Sequence, residues 1–148
     1  MTQSFEILGK FDRESDCQKL LYAPLSQKLT YRETQLYKVD FEGDAAALEA
    51  FVKQVLLDPI SQELRVGGEP IFEKAAFVLD YGMKGGALDL ERETILGYFR
   101  NLENPGFTLT KLTLRKRIYV FGDQAPDAPF VRDICNPAIH TWEVKRAA

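Results

Sequence analysis

Asp58-Pro59-Ile60-Ser61-Gln62-Glu63-Leu64-Arg65-Val66 has a counterpart later in the chain, Asn136-Pro137-Ala138-Ile139-His140-Thr141-Trp142-Glu143-Val144. Each opens with an aspartate or asparagine before proline, a pairing that disfavours helical geometry at the first residue and so closes a helix. Each continues into residues suited to extended structure, predicted as strands over Ser61 to Val66 and Ile139 to Val144. Further similarity lies upstream. Tyr37-Lys38-Val39-Asp40-Phe41-Glu42-Gly43-Asp44 is answered by Tyr119-Val120-Phe121-Gly122-Asp123, and Leu29-Thr30-Tyr31-Arg32 by Leu112-Thr113-Leu114-Arg115. The halves therefore read as two β-α-β-β-α-β units, about Thr2 to Val66 and Phe72 to Arg146, with a Gly67 to Pro70 connector. As domains these are 1–68, degenerate, and 69–148, together one domain. The fold class is α+β: a pseudo-dimer fused into one chain, with antiparallel sheets and helices packed on one face.

The elements follow from local pattern. Ser4 to Leu8 alternates Phe5 and Ile7 against Glu6 and predicts a strand, and Asp12 to Leu21 predicts a helix stopped by Pro24. Lys28 to Phe41 is rich in β-formers and predicts a strand or hairpin. Asp44 caps a predicted helix from Ala45 to about Leu57, whose Leu48, Phe51, Val52, Val55 and Leu56 form one apolar stripe. Ala75 to Leu79 predicts a strand running into a glycine turn, Gly82-Met83-Lys84-Gly85-Gly86. Asp89 then caps a helix bearing Ile95, Leu96 and Phe99 on one face, and Asn104-Pro105-Gly106 closes it. Phe107 to Phe121 is a second β-rich tract. Pro126, Asp127 and Pro129 start a short helix through Val131 and Ile134. The glycine turn fits neither the dinucleotide fingerprint nor the P-loop, so a structural turn outweighs a phosphate loop.

The 148 residues are 45% hydrophobic and 28% charged, the composition of a folded domain, with a net charge of -3 that argues against nucleic acid or an anionic membrane as partner. No apolar run approaches a membrane span, and Met1 to Glu6 lacks a basic region followed by an apolar one, so a cytoplasmic location is expected. Lys145 to Ala148 would suit a linker. Cys17 and Cys135 have no metal-ligand or CxxC spacing and read as buried or incidental thiols. His140, the sole histidine, shares a strand face with Trp142; a surface or interface pair is expected for it, and a core position for the tryptophan. Lys111, Arg115, Lys116 and Arg117 form the basic cluster. Arg115 and Arg117 share a strand face with Tyr119, read as a solvated outer face, or more sharply as an anion or partner contact. No catalytic residue, metal site or cofactor is expected.

The second unit resembles PurS, the small subunit of phosphoribosylformylglycinamidine synthase, and the duplicated chain resembles the PurS-like N-terminal domain of single-chain forms of that enzyme. The family's Lys-Pro-Gly-Val-Leu-Asp turn corresponds to Lys84-Gly85-Gly86-Ala87-Leu88-Asp89, with Gly85 in the place of proline. Its Asn-Pro-x-Ile helix end corresponds to Asn136-Pro137-Ala138-Ile139, with a further copy at Asp58-Pro59-Ile60. The similarity covers most of residues 28–146. It implies a non-catalytic module of an ATP- and glutamine-dependent ligase of purine biosynthesis, bridging synthetase and glutaminase for sheltered ammonia transfer. Lys84, Gly85, Gly86, Leu88 and Asp89 would form the partner-contact turn, and the isolated chain would be a monomer or dimer. The competing expectation is a small-ligand-sensing α+β regulatory module that binds an anion at the strand, turn and helix.

Overall fold

A central strand flanked on both sides recurs in the two halves of the computed structural model, which describes residues 1–85 and 87–146. Strand β1 (Thr2–Gly9) pairs antiparallel with β3 (Thr30–Gly43), Phe5 opposite Tyr37, and with β4 (Gln62–Val66), Phe5 opposite Val66. Strand β5 (Phe77–Met83) pairs in the same way with β6 (Phe107–Phe121), Phe77 opposite Val120, and with β7 (His140–Arg146), Met83 opposite His140. A two-residue strand, β2 (Ser15–Asp16), sits on β3. Six of the seven strands follow the order β4-β1-β3-β6-β5-β7 in an antiparallel sheet, with β2 off this path, and with helices α1 (Ala45–Val55), α2 (Leu90–Arg100) and α3 (Ala128–Ile134) they give an α+β fold.

The duplicated stretch is built twice with the same hydrogen bonds. Asp58 Oδ1 accepts from the Ile60 N–H at 3.0 Å, its carbonyl from the Gln62 N–H at 2.8 Å, and its own N–H donates to Gln62 Oε1 at 2.8 Å. Asn136 Oδ1 accepts from the Ala138 N–H at 2.9 Å, its carbonyl from the His140 N–H at 2.7 Å, and its N–H donates to His140 Nδ1 at 2.9 Å. Each is an Asx turn that satisfies backbone groups left over where a helix ends and a strand begins. The glycines that end the long strands also correspond. Gly43, φ 110°, is packed against Gly106 and Phe107 at the start of β6, and Gly122, φ 139°, against Leu29 just ahead of β3.

Several expectations are corrected. Each pair of middle strands is one continuous strand of 14 or 15 residues. Leu29 to Arg32 lies at the start of β3 whereas Leu112 to Arg115 lies within β6, so these tetrapeptides are not equivalent. The expected helix over Asp12 to Leu21 is β2 followed by a single 3₁₀ turn, Cys17–Leu20, because Asp16 caps the Gln18 N–H locally at 2.9 Å and restarts the chain there. Gly82 and Met83 belong to β5, where pairing with Thr141 and His140 holds them extended, so the turn begins at Lys84. Lys145 and Arg146 continue β7 opposite Val78 and Phe77 rather than forming a linker; Ala147 and Ala148 lie outside the described residues.

The chain packs as two compact units, each drawing segments from both sides of the Gly67 to Pro70 connector. The first comprises Met1–Phe11, Gln35–Gly68 and Leu88–Leu114. Its core joins Phe5, Ile7, Tyr37, Val39 and Phe41 of the sheet to Leu48, Phe51 and Val52 of α1 and Ile95 of α2. Leu48, Phe51 and Val52 belong to the stripe that helical spacing picks out, and burying each stabilises by roughly 1.5–3 kcal/mol. Phe51 meets Phe99 edge-on at 6.1 Å and Phe107 at 5.7 Å.

The second unit comprises Asp12–Thr34, Glu69–Ala87 and the chain from Arg115. Phe77, Leu79, Ile118 and Val120 of its strands pack with Leu29, Cys17, Phe130 and Cys135. On the reverse face, Val78 and Tyr119 pack with Ala75 and are covered by Ile71, Phe72 and Phe121. Burial on both faces accounts for the unbroken apolar run Phe77-Val78-Leu79.

Candidate functional site

In the first unit, Asp89 caps α2, its Oδ1 accepting from the Arg92 N–H at 3.1 Å, as its position ahead of the apolar periodicity implies. Leu88 just before it is 67% exposed. Leu90, Thr94 and Tyr98 follow at four-residue spacing along α2, and all three side chains face solvent. Glu91 and Glu93 lie in the first turn, where the positive end of the helix favours carboxylates. Glu91 Oε1 also accepts from the Tyr37 hydroxyl at 3.1 Å; burial, with Glu91 adjoining, pushes the Tyr37 phenol above its ordinary range.

In the second unit, the Lys84 N–H donates to the Ile139 carbonyl at 2.8 Å, and the Lys84 carbonyl accepts from the Ala87 N–H at 3.1 Å, which anchors the start of the turn beside the start of β7. A Cβ built on Gly85 would meet nothing within 4 Å, so no close backbone approach requires glycine there. Gly86 lies outside the described residues.

Arg115 and Arg117 converge on Asp80 of β5. Arg115 Nε is paired with Asp80 Oδ1, and Arg117 Nε donates to Asp80 Oδ2 at 3.2 Å. The side chains of Asp80, Arg117 and Arg115 are only 7%, 2% and 21% exposed, so the expected solvated face is a buried one. Arg115 continues outward, donating from Nη1 to Thr141 Oγ1 at 3.1 Å and from Nη2 to the Asp80 carbonyl at 3.0 Å. One carboxylate shared by two guanidinium groups ties β5, β6 and β7 together on the sheet face that also carries Val78 and Tyr119. Lys111 and Lys116 remain exposed. Asp80 escaped the sequence reading because it lies within an apolar strand; its one signal is that an acid there needs partners, and two arginines occupy a strand nearby.

No family model, curated protein or solved structure matches the chain.

The remaining reactive side chains are held in protonated or hydrogen-bonded states. Burial pushes the Cys17 thiol up to about 12, with Asp16 adding to it, and the Cys135 thiol up to about 11. Both are free and buried, as their spacing implied, and at neutral pH both are thiols rather than nucleophilic thiolates. Burial likewise carries the Tyr81 phenol up to about 12. His140 Nδ1 accepts from the Asn136 N–H, so the neutral ring carries its proton on Nε2, and the ring meets Tyr81 edge-on at 5.4 Å. Trp142, expected in the core, is 38% exposed on β7, an edge strand with a neighbour, β5, on one side only. Among the described residues, no group of three His, Cys, Asp or Glu side chains could hold a metal ion, and no helix is long and apolar enough to cross a membrane.

Proposed function

We propose that this chain is the PurS-like assembly module of a phosphoribosylformylglycinamidine synthase, a non-catalytic part that bridges synthetase and glutaminase during ammonia transfer in purine biosynthesis. The observation that carries the proposal is the twice-built Asx turn. Asp58 and Asn136 make the same three hydrogen bonds at the ends of equivalent helices, in support of two tandem PurS-like units fused as a pseudo-dimer. The flanking of β1 by β3 and β4, repeated in β5 with β6 and β7, supports the same duplication. The motif order at Lys84 to Asp89 and Asn136 to Ile139 supports the PurS-like reading.

The contact regions of this proposal are Lys84 to Asp89 and the outward face of α2. Leu90 and Tyr98 there are 70% and 58% exposed, an apolar pair that a synthetase body would cover. Co-expression of the tagged chain with a phosphoribosylformylglycinamidine synthetase body from the same source tests this. Stoichiometric co-purification is expected, weakened at least about tenfold in affinity by the double change Leu90→Asp and Tyr98→Asp. Failure of the wild-type chain to associate, or equal association by the double variant, would overturn the assignment of this face.

A further inference from the structure

The geometry points to a binding site in the second unit for a free α-amino acid with an apolar side chain. A concavity of about 460 Å³, within the size range of small-molecule sites, is lined by residues that the proposed assembly role does not use. One wall is Arg32, whose guanidinium carbon lies 4.3 Å from the centre of the Phe72 ring. This stacking fixes the plane of the guanidinium and leaves its edge for hydrogen bonds. Arg32 Nε is buried and has no hydrogen-bond partner among the described residues. A buried donor left unmatched is costly, so little holds the guanidinium in this one setting, and a small turn on the Phe72 ring would bring its edge to a ligand carboxylate.

The rest of the lining sets the ligand class. Lys74 adds a second positive charge, whereas Glu14 and Glu73 supply two negative ones, so the site is electrically balanced rather than cationic. Glu14 is held in place by the Thr30 hydroxyl, which donates to its Oε2 at 3.1 Å. A simple phosphate or dicarboxylate would face both glutamates unfavourably. A zwitterion meets both signs: its carboxylate goes to Arg32 and Lys74, and its ammonium to Glu14 and Glu73. Ile71, Phe72 and Phe121 give the concavity an apolar part for the ligand's side chain. Carboxylate, ammonium and apolar side chain on one small molecule describe an amino acid such as phenylalanine or leucine.

Isothermal titration calorimetry of the whole chain tests the site with L-phenylalanine and L-leucine, against 3-phenylpropionate, which lacks the ammonium, 2-phenylethylamine, which lacks the carboxylate, and inorganic phosphate. Saturable binding of at least one amino acid is expected, with each control weaker by about tenfold or more. Arg32→Gln and Glu73→Gln should each weaken the amino acid by a similar factor. Glu73 is exposed, so its variant decides the matter even if the Arg32 variant fails to fold. Absence of saturable binding by both amino acids at millimolar concentration would overturn the inference. So would equal binding of any control, or unchanged affinity in Glu73→Gln. None of these outcomes depends on association with a synthetase.

Discussion

Gly43→Ala should be among the most destabilising single-methyl additions this chain can receive. Gly43 has φ 110°, a conformation that costs a residue with a Cβ on the order of 1–3 kcal/mol. The added Cβ would also lie 2.8 Å from the Gly106 carbonyl oxygen and 2.9 Å from Phe107 Cα. Both are backbone atoms that cannot rotate away, and overpacking of this kind adds about 1–3 kcal/mol. The total of roughly 2–6 kcal/mol is a large part of the 5–15 kcal/mol that holds a typical domain folded. Two other glycines separate the contributions. Gly67, φ 120°, has nothing within 4 Å of a would-be Cβ, so Gly67→Ala should show the conformational cost alone. Gly85 has equally open space without a positive φ, so Gly85→Ala should be neutral or gain about 0.4–1 kcal/mol from the stiffer unfolded chain. Urea unfolding followed by circular dichroism, with midpoints and slopes fitted for all three, measures the series. Gly43→Ala within about 0.5 kcal/mol of Gly67→Ala would refute the packing account of the end of β3.

Asp80→Ala, which removes the carboxylate shared by Arg115 and Arg117, should destabilise by about 3–5 kcal/mol in the same urea assay, and Asp80→Asn by less; equal, small losses would mean the cluster contributes little. Asp58 is held below the ordinary carboxylate range, first by the Ser61 hydroxyl and then by the Ile60 N–H. A depressed folded value means that its stabilisation is complete above the unfolded value of about 3.9 and is lost as pH falls through the folded one. Asp58→Asn should therefore flatten the acid limb of a stability-against-pH curve, mirroring the non-titrating Asn136 in the equivalent turn, and an unchanged limb would count against this. Cys17 and Cys135 should resist dithionitrobenzoate at pH 8 in the folded chain and both react once guanidinium unfolds it, whereas rapid native labelling would contradict their burial.

The parts of the fold legible in the sequence were those governed by neighbours along the chain. Asp44 and Asp89 announce their helices because an N-cap acts within three residues, and Leu48, Phe51 and Val52 announce the buried face of α1 by spacing alone. The Asp58-Pro59 and Asn136-Pro137 turns were visible because their hydrogen bonds close within four residues. What was not legible depends on distant partners. Gly82 looks like a turn residue until β7 pairs beside it, and Arg117 looks like a surface residue until Asp80 and the cover over Val78 and Tyr119 are in place. Trp142 errs the other way, since nothing local marks β7 as an edge. The exchange of segments across the connector is likewise a packing outcome: Ile95 of α2 belongs to the core built around β1, a choice no local propensity encodes.

The most direct test of the assembly proposal compares glutamine with ammonia as the nitrogen source for a phosphoribosylformylglycinamidine synthetase body and glutaminase from the same source, with and without this chain. Without the chain, ammonia-dependent product formation should persist while glutamine-dependent formation falls to background, and adding the chain back should restore it. Glutamine used at its full rate in the chain's absence would contradict the proposal.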